Sequence, residues 1–389
     1  MTITEKTICK LTPLMAGLYI HVPFCTQACY YCDFHFSTDT RSRGELCHAL
    51  VHELVLQKEY LDEPLQTIYL GGGTPSLLSE AELALLLGSI HTHYAVAPDA
   101  EITLEANPDD LSKQKLKELY GAGVNRLSIG VQSFDDILLK FLHRSHNARA
   151  SRQSLEDAQA AGFTNFSIDL IYAIPGLSEK AWIETLQEAI RFAPAHISSY
   201  ALTIEDKTVF GHMTKRGKLT PMEEEKTAKQ FELLMDVLNV SGYEHYEISN
   251  FCKPGKYSRH NSSYWNQSMY LGIGPSAHSY NDHSRQFNIR NNALYVRSIE
   301  KGIVPYEREI LTRENKINEY ILTTLRTQWG CDLNFLKQQF NEDLLQKHGG
   351  YVSQLQLQSL VLIQNGIMRL TRKGKLLADK IAEDLMASA

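Results

Sequence analysis

The sequence predicts an α/β protein, a partial, open (β/α)6 barrel of the TIM type followed by a small winged-helix-like α+β accessory domain. Two observations carry this reading. Between Leu18 and about Thr203, short apolar, β-branched runs alternate with longer segments of helical spacing, the order that builds a parallel sheet with right-handed crossovers. From Thr312 onward the pattern is helical again and closes on the run from Gly366 to Lys375, which reads as a β-hairpin wing.

Taken in order, strands are expected over 18–24, 67–70, 101–105, 126–131, 165–171 and 196–202, each a short apolar run closed by a Gly, Pro, Asn or Asp turn. Helices are expected between them over 43–60, 80–93, 112–122, 148–161 and 179–192. Six such units are too few for a closed eight-stranded barrel, so the barrel is open. After Met222 a helix should run through Val240. The Tyr-, His- and Asn-rich stretch from Tyr243 to Tyr295 has little periodicity. The chain therefore divides into a core over 1–240, a linking region over 241–311 and a C-terminal domain over 312–389.

Barrels of this type gather their ligands at the C-terminal ends of the strands, and the informative residues fall there. Cys25 follows the first strand, the run Gly71 to Pro75 the second, and Glu105 to Pro108 the third. Gln132 follows the fourth, Asp169 lies late in the fifth and Ala201 late in the sixth. Six independent strand ends of this character point to one shared site.

With 43% hydrophobic and 22% charged residues in 389, the chain has the composition of a globular protein with a large core. A net charge of −6 argues against a general polyanion-binding surface, so nucleic acid is not an expected partner. Ten basic residues against eight acidic ones over 312–389 leave the winged helix without a DNA-binding footprint. Arg369, Arg372, Lys373 and Lys375 are expected on a solvated face, and the domain as a cover or docking surface. Met1 to Gly17 offers neither a basic start with an apolar run nor a cleavage site, and no apolar stretch is long enough to span a bilayer. The expected location is cytoplasmic, where seven cysteines stay reduced rather than forming disulfides.

Cys25, Cys29 and Cys32 form a C-x3-C-x2-C spacing in a loop directly after a strand. Thiolates are the ligands of iron–sulfur clusters, and three of them leave the fourth iron of a [4Fe-4S] cube open. Zinc sites usually show two separated pairs with a fourth Cys or His, and buried cysteines have no reason for this spacing. Cys9, Cys47, Cys252 and Cys331 lack such grouping and are expected to be inert.

In its setting, from Tyr19 through His21, Pro23 and Phe24 to Cys32, Asp33 and Phe34, the triplet resembles the radical S-adenosylmethionine (SAM) superfamily. Within that superfamily the chain is similar to the oxygen-independent coproporphyrinogen III oxidase group, from Gly17 to the C-terminal domain. The resemblance implies that SAM chelates the open iron, and that cluster reduction can cleave its sulfonium to a 5′-deoxyadenosyl radical. It further implies SAM contacts at Tyr19, Tyr31, Gly72, Gly73, Thr74, Glu105, Gln132, Arg144, Asp169, Ala201 and His278. A guanidinium such as Arg144 suits the methionine carboxylate, carboxylates suit the ammonium group or ribose hydroxyls, and Tyr31 offers adenine an aromatic face.

Two activities follow from the resemblance, one of an enzyme and one of a binding protein. Coproporphyrinogen III dehydrogenase decarboxylates propionate side chains; the haem chaperone subgroup binds haem and passes it on. The dehydrogenases carry another cysteine two residues after the third ligand, where this chain has Phe34, and a longer arm than the 24 residues preceding Cys25. The run His260 to Trp265 matches the subgroup's H-N-x-x-Y-W motif. The expected function is thus a haem chaperone, with His260, Tyr264 and Trp265 at the haem, a haem-acceptor protein and an electron donor as partners, and a homodimer admitted. A histidine can ligate haem iron and aromatics can cover a porphyrin face; the competing reading has His260 and Trp265 pack the second domain against the barrel.

Overall fold

The computed structural model describes residues 16–386. Cys9 and most of the N-terminal segment read above lie outside the described residues. Six parallel strands form the barrel wall: β1 (Ala16–Val22), β2 (Leu65–Gly72), β3 (Val96–Ala106), β4 (Arg126–Gln132), β5 (Phe166–Tyr172) and β6 (His196–Ala201). Each lies within a few residues of its expected position. The helix Glu80–His93 has its expected bounds.

The βα units are punctuated by their own sequence. Ser79 caps the helix Glu80–His93 in a reciprocal capping box with Glu82. Ser112, Asn147 and Ser178 each accept an N–H of the first turn of the helix that follows, supplying a partner that the helix itself lacks. Between the caps, alternate strand residues such as Leu18, Ile20 and Val22 are buried. The parallel strands are covered by helices and their residues belong to one continuous core.

The sheet is wider than the sequence led one to expect. The linking region adds β7 (Glu244–Glu247), β8 (Asn250–Cys252), β9 (Tyr270–Ile273), β10 (His278–Tyr280), β11 (Ser284–Asn288) and β12 (Tyr306–Ile310). The strand order is β12-β11-β10-β9-β1-β2-β3-β4-β5-β6-β8-β7. β9 runs parallel to β1 and β8 antiparallel to β6, so one segment extends both edges of the barrel wall. Glu53, buried in the helix Arg43–Leu56, ties this extension to the core. It accepts hydrogen bonds from Gly274 N (2.8 Å), Asn288 Nδ2 (2.7 Å), Gln57 Nε2 (2.8 Å) and the Tyr295 hydroxyl.

The C-terminal residues build the expected winged-helix-like unit around a second core. Its three-stranded sheet, β13 (Cys331–Asp332), β14 (Val361–Gln364) and β15 (Ile367–Leu370), is ordered β13-β15-β14. Of its basic residues, Arg372 and Lys373 are exposed as expected, while Arg369 and Lys375 are half-buried. Arg372 pairs with Asp236 of the barrel at 2.5 Å, and half-buried Lys375 sets its ammonium on the His245 carbonyl. Burial lowers the Lys375 pKa to about 8. These side chains dock the domain because their partners lie on the core. No helix among the described residues is long and apolar enough to cross a membrane.

Candidate cofactor site

The three cysteines sit in the loop that leaves β1, and none is deeply buried. Such a loop cannot be shaped by apolar burial, so its backbone is pinned from several sides. Cys25 N bonds to Ser37 O at 3.0 Å and Cys32 N to Cys29 O at 3.3 Å. Tyr30 N reaches Leu142 O (3.2 Å), and Tyr30 O receives Phe210 N (3.0 Å). The Tyr30 ring stacks on His143 with centroids 4.2 Å apart. His143 Nδ1 donates to Ala28 O at 2.7 Å, and Gln27 Nε2 to His143 O at 2.9 Å.

Arg144, next to His143, joins the loop to the strand ends. Nη1 donates to Cys29 Sγ (3.2 Å) and the Tyr31 hydroxyl (3.4 Å), and Nη2 to Asn107 Oδ1 (2.6 Å) and Gly130 O (2.9 Å). Asn107 Nδ2 in turn donates to Thr74 Oγ1 at 3.3 Å, and that hydroxyl lies 3.5 Å from Cys25 Sγ. A polar path thus connects Cys29 to Cys25 through Arg144, Asn107 and Thr74. Asn107 was read only as part of a polar strand end; that it links these groups depends on the contacts made by folding.

The glycine run at the end of β2 is required by close approach. Gly72 has φ +106°, and a Cβ there would lie 2.5 Å from the His21 ring. At Gly73 a Cβ would fall 2.6 Å from Phe24 O, a backbone atom that cannot step aside. Gly72 N donates to Glu105 Oε2 (3.1 Å), and the Tyr69 hydroxyl to Glu105 Oε1 (2.7 Å). Burial, with a smaller contribution from nearby Asp169, pushes the Glu105 carboxyl up to about 7. Asp169 is also raised by burial, although Ser128 and Ser167 donate to it at 3.0 and 3.1 Å. Gln132, the last residue of β4, has φ +64°, a strained conformation of the kind that collects at ligand sites. Ala201 closes β6.

The donor set fits the group that the sequence implies. Three thiols in one loop suit three irons of a cube, and buried Arg144 Nε has no partner among the described residues, leaving a donor for a carboxylate. Burial pushes the Cys32 thiol up to about 11 and the Cys25 thiol above its usual value, so ionisation of these thiols calls for added positive charge.

Thr74 and Arg144 are thereby brought into one hydrogen-bonded neighbourhood with the cysteines, and Tyr31 joins it through its hydroxyl; Glu105 stands beside it, held by Gly72 N and the Tyr69 hydroxyl. Tyr19 stands to one side, its ring centroid 6.1 Å from Tyr69 and its hydroxyl 3.1 Å from His21 Nδ1. His278 lines a separate cavity with Tyr19, His21 and Arg290.

The six-residue run from His260 lies in the short helix Arg259–Trp265. His260 is 1% exposed. Its Nδ1 meets Thr67 Oγ1 and its Nε2 the Tyr264 hydroxyl, both at 2.8 Å. Burial lowers its pKa to about 3, which keeps the ring neutral. In this arrangement both ring nitrogens are engaged and neither is offered to an outside iron. Trp265 lies under the Arg326 guanidinium, 5.8 Å from ring centroid to Cζ, and Arg326 also bonds to buried Glu247 at 3.1 Å. Both residues therefore make packing contacts, Trp265 against the C-terminal domain.

The chain matches the Radical SAM superfamily over residues 19–189 and the HemN C-terminal domain over residues 311–377. It is 36% identical to the heme chaperone HemW of Bacillus subtilis over 371 residues, covering 94% of this chain and 98% of that one. To the heme chaperone HemW of Escherichia coli it is 38% identical over 69% of this chain and 70% of that one. A mitochondrial radical S-adenosyl methionine domain-containing protein 1 of Bos taurus is 32% identical over 96% and 87%. Among solved structures, coproporphyrinogen III oxidase (HemN) from Escherichia coli superposes with a TM-score of 0.83 at 22% identity, covering 96% and 90% of the two chains. At that identity the likeness concerns the fold.

Proposed function

The chain belongs to the heme chaperone HemW family of the radical SAM superfamily, and from that premise we propose that it binds a [4Fe-4S] cluster, SAM and haem and delivers haem to an acceptor protein. The observation that carries this reading is the loop of Cys25, Cys29 and Cys32, fastened to Arg144 at the strand ends of a chain that aligns with a named heme chaperone over 94% of its length. Phe34 supports the chaperone over the decarboxylating enzyme, because the dehydrogenases carry a cysteine there.

Cys25, Cys29 and Cys32 would hold the cluster, whose open iron supplies one-electron chemistry to a bound sulfonium. The chain's own residues place and shield. Arg144 would pair with the methionine carboxylate, Gly72, Gly73 and Thr74 would let the backbone come close to the amino group, and Glu105 and Asp169 would take the ammonium or ribose hydroxyls. Tyr31, Gln132 and Ala201 would complete the pocket, with Tyr19 on the side that faces the neighbouring cavity. An electron donor and a haem-acceptor protein are the partners this function calls for.

Anaerobically reconstituted protein should take up hemin and release it to an apo-haem protein without decarboxylating coproporphyrinogen III. Decarboxylation at a catalytic rate in the presence of SAM and reductant would replace the chaperone with the dehydrogenase.

A further inference from the structure

The geometry points to the cavity between the cysteine loop and the 274–290 segment as the seat of the haem, with His278 as iron ligand and Arg290 as partner of a propionate. This rests on the haem-binding reading above and deepens it, moving the iron ligand away from His260.

The cavity has a volume of about 310 Å³, and its lining includes Phe34, His35, Tyr264, Tyr270, His278 and Arg290. Three histidines face it with unequal freedom. His21 is committed at both nitrogens, to Tyr19 and to the His35 carbonyl (2.8 Å). His35 donates Nε2–H to Asn292 Oδ1 at 2.7 Å, which fixes its ring and leaves only Nδ1 open, whereas among the described residues His278 has both nitrogens open. His278 is exposed, and its only ring neighbour is Phe287, 5.6 Å away; among the described residues no hydrogen bond engages its ring nitrogens. An iron ligand needs such an uncommitted lone pair. Partial burial also lowers the His278 pKa, which favours the neutral imidazole.

The surroundings suit a porphyrin dianion. Arg290 is exposed, makes no ion pair among the described residues, and spends one N–H on the Asp33 carbonyl. Its remaining donors can grip a carboxylate. Asp33 also lines the cavity. Phe34 is 72% exposed, and with Tyr264 and Tyr270 it offers rings to a macrocycle face. The segment carrying His278 is held in place by Gly274 N on Glu53, by Ser276 N on Ile289 O (3.1 Å) and by Asn288 N on Ala277 O (2.9 Å). Ser276, at φ +66°, is strained. A cavity of this size takes part of a porphyrin and leaves the rest outside, where an acceptor can reach it.

The test is a hemin titration of the full chain, read by the Soret band and by EPR, for wild type, His278→Ala, Arg290→Ala and His260→Ala. His278→Ala should lose the imidazole-ligated spectrum and bind hemin about tenfold more weakly or worse, while its circular dichroism melt stays like wild type. Free imidazole should restore the spectrum. Arg290→Ala should keep the spectrum and bind about fivefold more weakly, with the difference lost for the dimethyl ester of the porphyrin. A wild-type spectrum and affinity in His278→Ala would overturn the assignment and leave the chaperone reading standing, as would loss of the spectrum in folded His260→Ala alone. Wild-type protein that takes up no hemin would overturn both.

Discussion

Arg144 Nη1 lies 3.2 Å from Cys29 Sγ, while its Nη2 spans Asn107 and the Gly130 carbonyl. One guanidinium therefore sets the position of a cluster thiol relative to the ends of two strands. Its fork geometry matters as much as its charge, since an ammonium reaches a single point.

Replacing Arg144 by Ala should weaken SAM binding to reconstituted protein by about tenfold or more. Lys at the same position should recover only part of that loss. Equilibrium dialysis with labelled SAM measures it, and wild-type affinity in Arg144→Ala would remove the residue from the cofactor site.

Gly73→Ala puts a methyl group against Phe24 O, the backbone that carries Cys25. Stability should fall by about 1–3 kcal/mol, and iron per chain after reconstitution should fall with it. Gly88→Ala, where a Cβ meets nothing within 4 Å, serves as the control and should melt at or above the wild-type temperature.

His260→Ala removes the ring that joins Thr67 on β2 to Tyr264. A loss of about 2–4 kcal/mol is expected from the cavity and the two orphaned hydroxyls. Denaturant melts check the stability, and a variant as stable as wild type would show that the contacts contribute nothing.

Glu53 carries a pH dependence of definite sign. Burial raises its carboxyl from 4.5 to about 7 in the folded protein, against the hydrogen bonds it accepts. The folded chain thus holds a proton that the unfolded chain has lost between those two values. Stability from this group falls as pH rises from about 4.5 to about 7 and levels off above. Thermal melts across that window should show a shallower decline for Glu53→Gln than for wild type; parallel curves would assign the slope elsewhere.

The barrel strands were legible because each is an apolar run between turn residues, and Cys25, Cys29 and Cys32 because their spacing has few other uses. The added strands were not. β10 has three residues, and β12 is exposed throughout, so neither carries the alternation that burial on one face imposes on a sequence. Asn107 and Tyr69 act through partners 33 to 37 residues away, which no local pattern encodes. Lys375 looked like a solvated charge because its partners, the His245 carbonyl and the Glu247 carboxylate, lie on another part of the chain.

The linking segment supplies β8 beside β6 and β9 beside β1. A fragment ending at Val240 would consequently bare the amide rows of both outer barrel strands at once, inviting neighbouring copies to stitch themselves on. Attempts to shorten this protein to its cluster-bearing half should yield aggregates, and the smallest well-behaved piece must retain residues well past the end of the barrel.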